Sequence, residues 1–133
     1  MLQPYQIFRF DTFGDSRGEL SVFESNTAFP IRRVFFIYRV PADAERGNHA
    51  STQSSEIIVL TAGHCKIDLH DGEQSRSFLM HTPADALYVP KMTWIRLYDF
   101  SDDCVLTVLS DQPYNQKEII EHFDAFLEKV QKQ

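Results

Sequence analysis

Apolar residues fall in short runs, and turn-forming residues separate them. Runs at 5–10, 20–24, 33–40, 56–61, 64–69, 77–81, 87–89, 94–100 and 105–109 are rich in Val, Ile, Leu, Phe and Tyr, which predicts strands. Gly14-Asp15-Ser16, Pro41-Ala42-Asp43, Ala62-Gly63 and Ser101-Asp102-Asp103 punctuate them. Residues 64–69 alternate polar and apolar, so one face is core and the other is wet or lines a cavity. Asp71-Gly72 then turns the chain into a hairpin. Only the C-terminal region has helical spacing. Ile119, Ile120, Phe123, Phe126, Leu127 and Val130 share a stripe, and Asn115 with Glu118 reads as a capping box. Lys129 and Lys132 suit the negative helix end. The pattern predicts one domain over 1–133, with strands over about 5–110 and a helix over about 115–131 packed outside the sheets. It is an all-β sandwich, jelly roll or barrel, whose interior is a natural small-molecule site.

Composition narrows the partners. Thirteen Lys and Arg against nineteen Asp and Glu give a formal charge of -6. That argues against nucleic acid or an acidic membrane as partner, and leaves room for a small anion held by a few arginines. Aromatic residues at 13% can supply a real core. No apolar run approaches the roughly 20 residues of a membrane helix. The first five residues lack a signal peptide's basic and apolar regions. Cys65 and Cys104 each lie in an apolar run, as buried free thiols do, and this predicts a cytoplasmic location.

The stretch from Gly47 to Gly63 carries the most chemistry. His49 and Ser51 are two apart on a strand, so they face the same way, and Glu56 opens the next apolar run. The spacing resembles the first motif of the cupin superfamily, His-x-His, then Glu, then Gly, with Ser51 at the second His. A stable metal site wants at least three good ligands, and His49 and Glu56 supply two. The strand after Pro90 has no His, and its Arg96 repels a cation. No metal is expected.

Five motifs occur in order over nearly the whole chain: Asp15-Ser16-Arg17-Gly18-Glu19-Leu20, Arg33-Val34-Phe35-Phe36-Ile37-Tyr38, Arg46-Gly47-Asn48-His49-Ala50, Asp99 through Val105, and Val108-Leu109-Ser110 followed by Tyr114. Together they resemble the nucleotide-sugar 3,4-ketoisomerases, the WxcM-like cupins of bacterial O-antigen and S-layer sugar synthesis. The resemblance implies a cupin-type double-stranded β-helix (a jelly-roll barrel), a dTDP-linked 4-keto-6-deoxyhexose as ligand, no cofactor, and a homodimer that exchanges N-terminal strands. His49 is then the candidate base, with Tyr38 and Ser51 as hydrogen-bond donors. Arg17, Arg33 and Arg46 are candidate phosphate ligands. Glu56, Trp94 and Arg96 complete the expected substrate contacts, with Glu56 also a possible orienting partner for His49.

The chain departs from the family pattern in three places. Ser51 replaces the second His, Phe35 and Phe36 stand where tyrosines are usual, and Ile95-Arg96 follow Trp94 where His-Glu is frequent. A serine hydroxyl does not titrate near neutrality. Two alternatives to ketoisomerisation therefore stay open, a non-catalytic sugar-nucleotide-binding cupin and a keto-sugar epimerase. Bland readings stand beside the site residues too. Arg17 fits a turn salt bridge with Asp15, Trp94 fits aromatic packing, and Glu56 fits a strand-edge charge.

Overall fold

The computed structural model of the protein describes residues 2–132. Among them twelve strands and one α-helix follow in chain order. The strands are β1 (Ile7–Arg9), β2 (Asp11–Asp15), β3 (Gly18–Val22), β4 (Arg33–Tyr38), β5 (Arg46–Ser51) and β6 (Glu56–Ala62). Next come β7 (Cys65–His70), β8 (Ser75–Met80), β9 (Asp85–Val89), β10 (Trp94–Tyr98), β11 (Val105–Ser110) and β12 (Ile119–Ile120). The helix α1 is Phe123–Gln131. One antiparallel sheet has the order β1-β9-β6-β11-β4, and the second has the order β12-β5-β10-β7-β8. The two face each other as a jelly roll.

Period-two alternation explains the core. Ile58 and Leu60 on β6, Leu106 and Val108 on β11, Ile67 and Leu69 on β7, and Ile95 and Leu97 on β10 pack together between the sheets. The opposite face of the first sheet is also covered. Phe29, Ile57, Val59 and Ala86 are buried there with Phe8, Phe10, Phe23 and Tyr88 against them. Cys65 and Cys104 are buried free thiols, and burial pushes both above the ordinary thiol value. Among the described residues, no helix is long and apolar enough to cross a membrane.

The helix begins later than the spacing predicts. Asn115 caps a 3-10 turn (Gln116–Glu118) instead, its side-chain oxygen accepting from the Lys117 N–H at 3.1 Å. Ile119 and Ile120 continue as β12 against Ser51 and Ala50 of β5. They are apolar because they add to a sheet. Phe123 and Phe126 do pack on the outside of the second sheet, with ring centroids 5.3 and 5.9 Å from Trp94. His70, which turn flanking would leave exposed, joins that cluster at 5.1 Å from Phe123.

Strands β2 and β3 stand apart. They form a two-stranded sheet that pairs with no other strand among the described residues, with Phe13 65% and Leu20 59% exposed. Strand β4 is an open edge, and its outward Val34, Phe36 and Tyr38 are 48%, 60% and 56% exposed.

Candidate functional site

The core fills most of the interval between the sheets, and polar residues replace apolar ones at one end. Ser110 on β11 lies opposite Arg33 on β4 and Glu56 on β6, so all three extend the inward rows that Val108, Phe35 and Ile58 occupy one step earlier. Across the gap, β5 supplies His49 and Ser51. His49 pairs in register with inward-facing Ile95, and the β5–β10 register then slips between Ile95 and Arg96. Gly47 at φ +82 and Asn48 at φ +56 take up this bulge, and a Cβ on Gly47 would lie 2.8 Å from the Ile95 carbonyl oxygen. The bulge is what brings both Arg46 and His49 to the cavity.

The resulting cavity has a volume of about 470 Å³. Arg33, Arg46, His49, Ser51 and Glu56 all line it, which brings five of the nine sequence-predicted residues together. Tyr114, Gln116, Glu118 and Glu121 are part of the remaining polar wall. Glu118 is the residue that sequence reasoning missed. Its side chain is buried and accepts from the Ser54 hydroxyl, and its carbonyl accepts from the Thr52 N–H at 3.1 Å. The spacing Asn115…Glu118 signalled only a cap, because a contact across 64 residues leaves no local pattern.

The other four predicted residues lie elsewhere in this chain. Tyr38 points outward from β4, on the face opposite Arg33 and Phe35. Trp94 is on the outer face of β10, under α1. Arg96 shares that outer face and binds Glu45 at 2.7 Å and Asp68 at 3.1 Å, with its guanidinium over the Tyr98 ring. The two-residue period forces this, since inward Ile95 lies between Trp94 and Arg96. Arg17 is at the β2–β3 turn and makes the salt bridge with Asp15 that the turn reading anticipates. Hydrogen bonding to Arg17 holds the Asp15 carboxyl below its ordinary value.

Within the cavity, Glu56 is paired to Arg33 at 3.7 Å. It is not the orienting partner of His49, whose ring no described side chain hydrogen-bonds. Arg33 is stacked between rings, 4.9 Å from the Phe35 centroid and 5.4 Å from Tyr114, and its Nε is buried with no hydrogen-bond partner among the described residues. Among the described residues, no group of three or more His, Cys, Asp or Glu is placed to hold a metal ion.

Burial pushes the Glu56 carboxyl up to about 7, against the opposing pull of Arg33, and Glu118 and Asp111 add to the rise. An acid with a raised folded-state value binds its proton more tightly when folded. Its stabilising effect is complete below its ordinary 4.5 and is lost as the pH climbs through about 7. Glu56→Gln is therefore expected to be more stable than wild type above pH 7, by on the order of 2–3 kcal/mol, and less so at pH 5. Parallel urea titrations across this range check it.

The family described as FdtA, WxcM-like, C-terminal matches residues 3–131. The chain belongs to that family. A curated relative, TDP-4-oxo-6-deoxy-alpha-D-glucose-3,4-oxoisomerase from Aneurinibacillus thermoaerophilus, is 33% identical over 129 residues, 96% of this chain and 93% of its own. Among solved structures, the TDP-fucose-3,4-ketoisomerase WlaRA of Campylobacter jejuni is 33% identical with a TM-score of 0.87, covering 94% of both chains. A histidine-to-asparagine variant of the 3,4-ketoisomerase QdtA from Thermoanaerobacterium thermosaccharolyticum, in complex with TDP-4-keto-6-deoxyglucose, superposes with a TM-score of 0.92. It is 26% identical and covers 100% of this chain and 98% of its own. The FdtA-family fold is the expected cupin-type jelly roll.

Proposed function

We propose that this FdtA-family protein is an isomerase of a TDP-linked 4-keto-6-deoxyhexose that moves the carbonyl from C4 to C3. The observation that carries the reading is the cavity itself. It joins one imidazole, two guanidinium groups, a buried carboxyl and a half-buried one at the polar end of a fold shared with 3,4-ketoisomerases. His49 takes the proton from C3, and Arg33 and Arg46 supply positive charge for the diphosphate or for a developing enediolate. Incubation of the purified protein with TDP-4-keto-6-deoxyglucose, followed by NMR, is expected to show a 3-keto product. Binding without turnover would favour the non-catalytic reading, which Ser51 at the family's second His position supports. In that case Ser51→His is expected to raise activity.

The cytoplasmic protein works as a homodimer in this reading. A two-stranded hairpin is marginal in water by itself, and open edges invite pairing. The exposed β2–β3 hairpin of one chain and the apolar outer face of β4 in another are complementary in kind, both lacking a strand or sheet partner among the described residues. Light scattering is expected to give the mass of two chains. Phe36→Asp combined with Tyr38→Asp is expected to shift it to one.

A further inference from the structure

The cavity holds a second titrating group whose chemistry the expected base does not use. Ketoisomerisation moves two protons, one between carbons and one between oxygens. His49 can carry the first from C3 to C4. The second must leave the C3 hydroxyl and arrive on the C4 oxygen. Ser51 has no titrating group with which to do this.

Glu56 faces His49 and Ser51 from the opposite sheet and lines the same cavity. Its side chain is 15% exposed and its nearest cation, Arg33, stands off at 3.7 Å. That contact is looser than the 2.7–2.9 Å of a charge-assisted hydrogen bond. The facing charges are Arg33 from β4, Asp111 after β11, Glu118 from the 3-10 turn, and Arg46 and His49 from β5, with Glu121 at the rim. Glu118 is occupied by the Ser54 hydroxyl and Asp111 by the Ser55 N–H at 2.8 Å, so Glu56 is the least engaged of the three carboxyls.

We propose that Glu56 is a catalytic residue that enters the reaction as a neutral acid and shuttles the hydroxyl proton between the two substrate oxygens. The inference rests on the isomerase reading above. As His49 removes the C3 proton, the C3–H electrons form a C3=C4 bond. The C4=O π electrons move to oxygen, which takes the proton from the Glu56 carboxyl. The Glu56 carboxylate then removes the proton from the C3 hydroxyl. C3=O forms, and the C3=C4 electrons take the proton back from His49 at C4. The product is the 3-ketone, and both residues return to their starting states with no outside oxidant or acid. A raised carboxyl value suits this role, because a group near the working pH can both give and take a proton.

The test is kcat against pH for wild type, Glu56→Gln and Glu56→Asp with TDP-4-keto-6-deoxyglucose, beside TDP affinity by calorimetry. Wild type is expected to lose kcat as the pH rises through about 7. Glu56→Gln is expected to lower kcat about 100-fold or more, to lack that alkaline limb, and to bind TDP within a few-fold of wild type. Glu56→Asp keeps the acid one methylene further back, so kcat falls while the limb remains. A Glu56→Gln variant with near-wild-type kcat, a limb that persists in it, or a limb that vanishes in Glu56→Asp overturns the role of Glu56 and leaves the isomerase reading standing. A wild-type protein that binds TDP and turns nothing over overturns both.

Discussion

Replacing His49 with alanine is expected to lower ketoisomerase turnover by about 10²–10⁴-fold, the usual scale for loss of a general base. The affinity for TDP should stay within a few-fold of wild type. The two quantities separate because neither arginine offered to the diphosphate is held in place by the His49 ring. His49 sits on β5 just past the bulge at Gly47 and Asn48, and no described side chain hydrogen-bonds its ring. Removing the ring therefore breaks no network and opens space only on the cavity side. Arg33 is held from β4 by the Phe35 and Tyr114 rings, and its anchoring does not involve His49. NMR of the sugar product and calorimetric titration with TDP measure the two effects. Unchanged turnover would move the base elsewhere. A loss of binding equal to the loss of rate would make His49 a ligand contact only.

How far the site could be read from sequence depended on the range of the interaction. The strands on either side of the core were visible because each alternates or runs apolar over four or more residues, as in β11 and β6. Strand β5 hides, since Arg46, Gly47, Asn48, His49 and Ser51 give it almost no apolar face. It was recoverable only through its motif. The hairpin strand β2, all exposed, had no hydrophobic period to find. Pairwise alternation correctly put His49 and Ser51 on one face. The same rule, counted from inward Ile95, turns Trp94 and Arg96 outward. Resemblance alone had suggested them for the pocket. Glu118 and its bond to Ser54 join the ends of two distant segments, and no local signal encodes such a pair.

The glycine that closes the cupin motif gives the second large effect. Gly63→Val is expected to destabilise the protein by about 3–5 kcal/mol, combining left-handed backbone strain with overpacking. For a domain of this size that lowers Tm by roughly 11–18 °C. Gly63 sits at φ +71 between β6 and β7, where the chain turns against the 101–104 loop. A Cβ there would collide with Ser101 Oγ and fall 2.6 Å from Cys104 Cα. The side chain of Ser101 cannot simply swing away. Its hydroxyl accepts from the His64 N–H at 2.9 Å and donates to Asp103 at 2.8 Å, while its own N–H bonds the His64 carbonyl. Gly18→Val is the control. Gly18 also has positive φ, at +124, but nothing lies within 4 Å of its Cβ position, so only the backbone cost of about 1–3 kcal/mol applies. Equal losses at the two positions in thermal unfolding would mean that the clash at the β6–β7 turn relaxes freely. A loss at Gly63 at least twice that at Gly18 would show that the turn and the 101–104 loop are locked together.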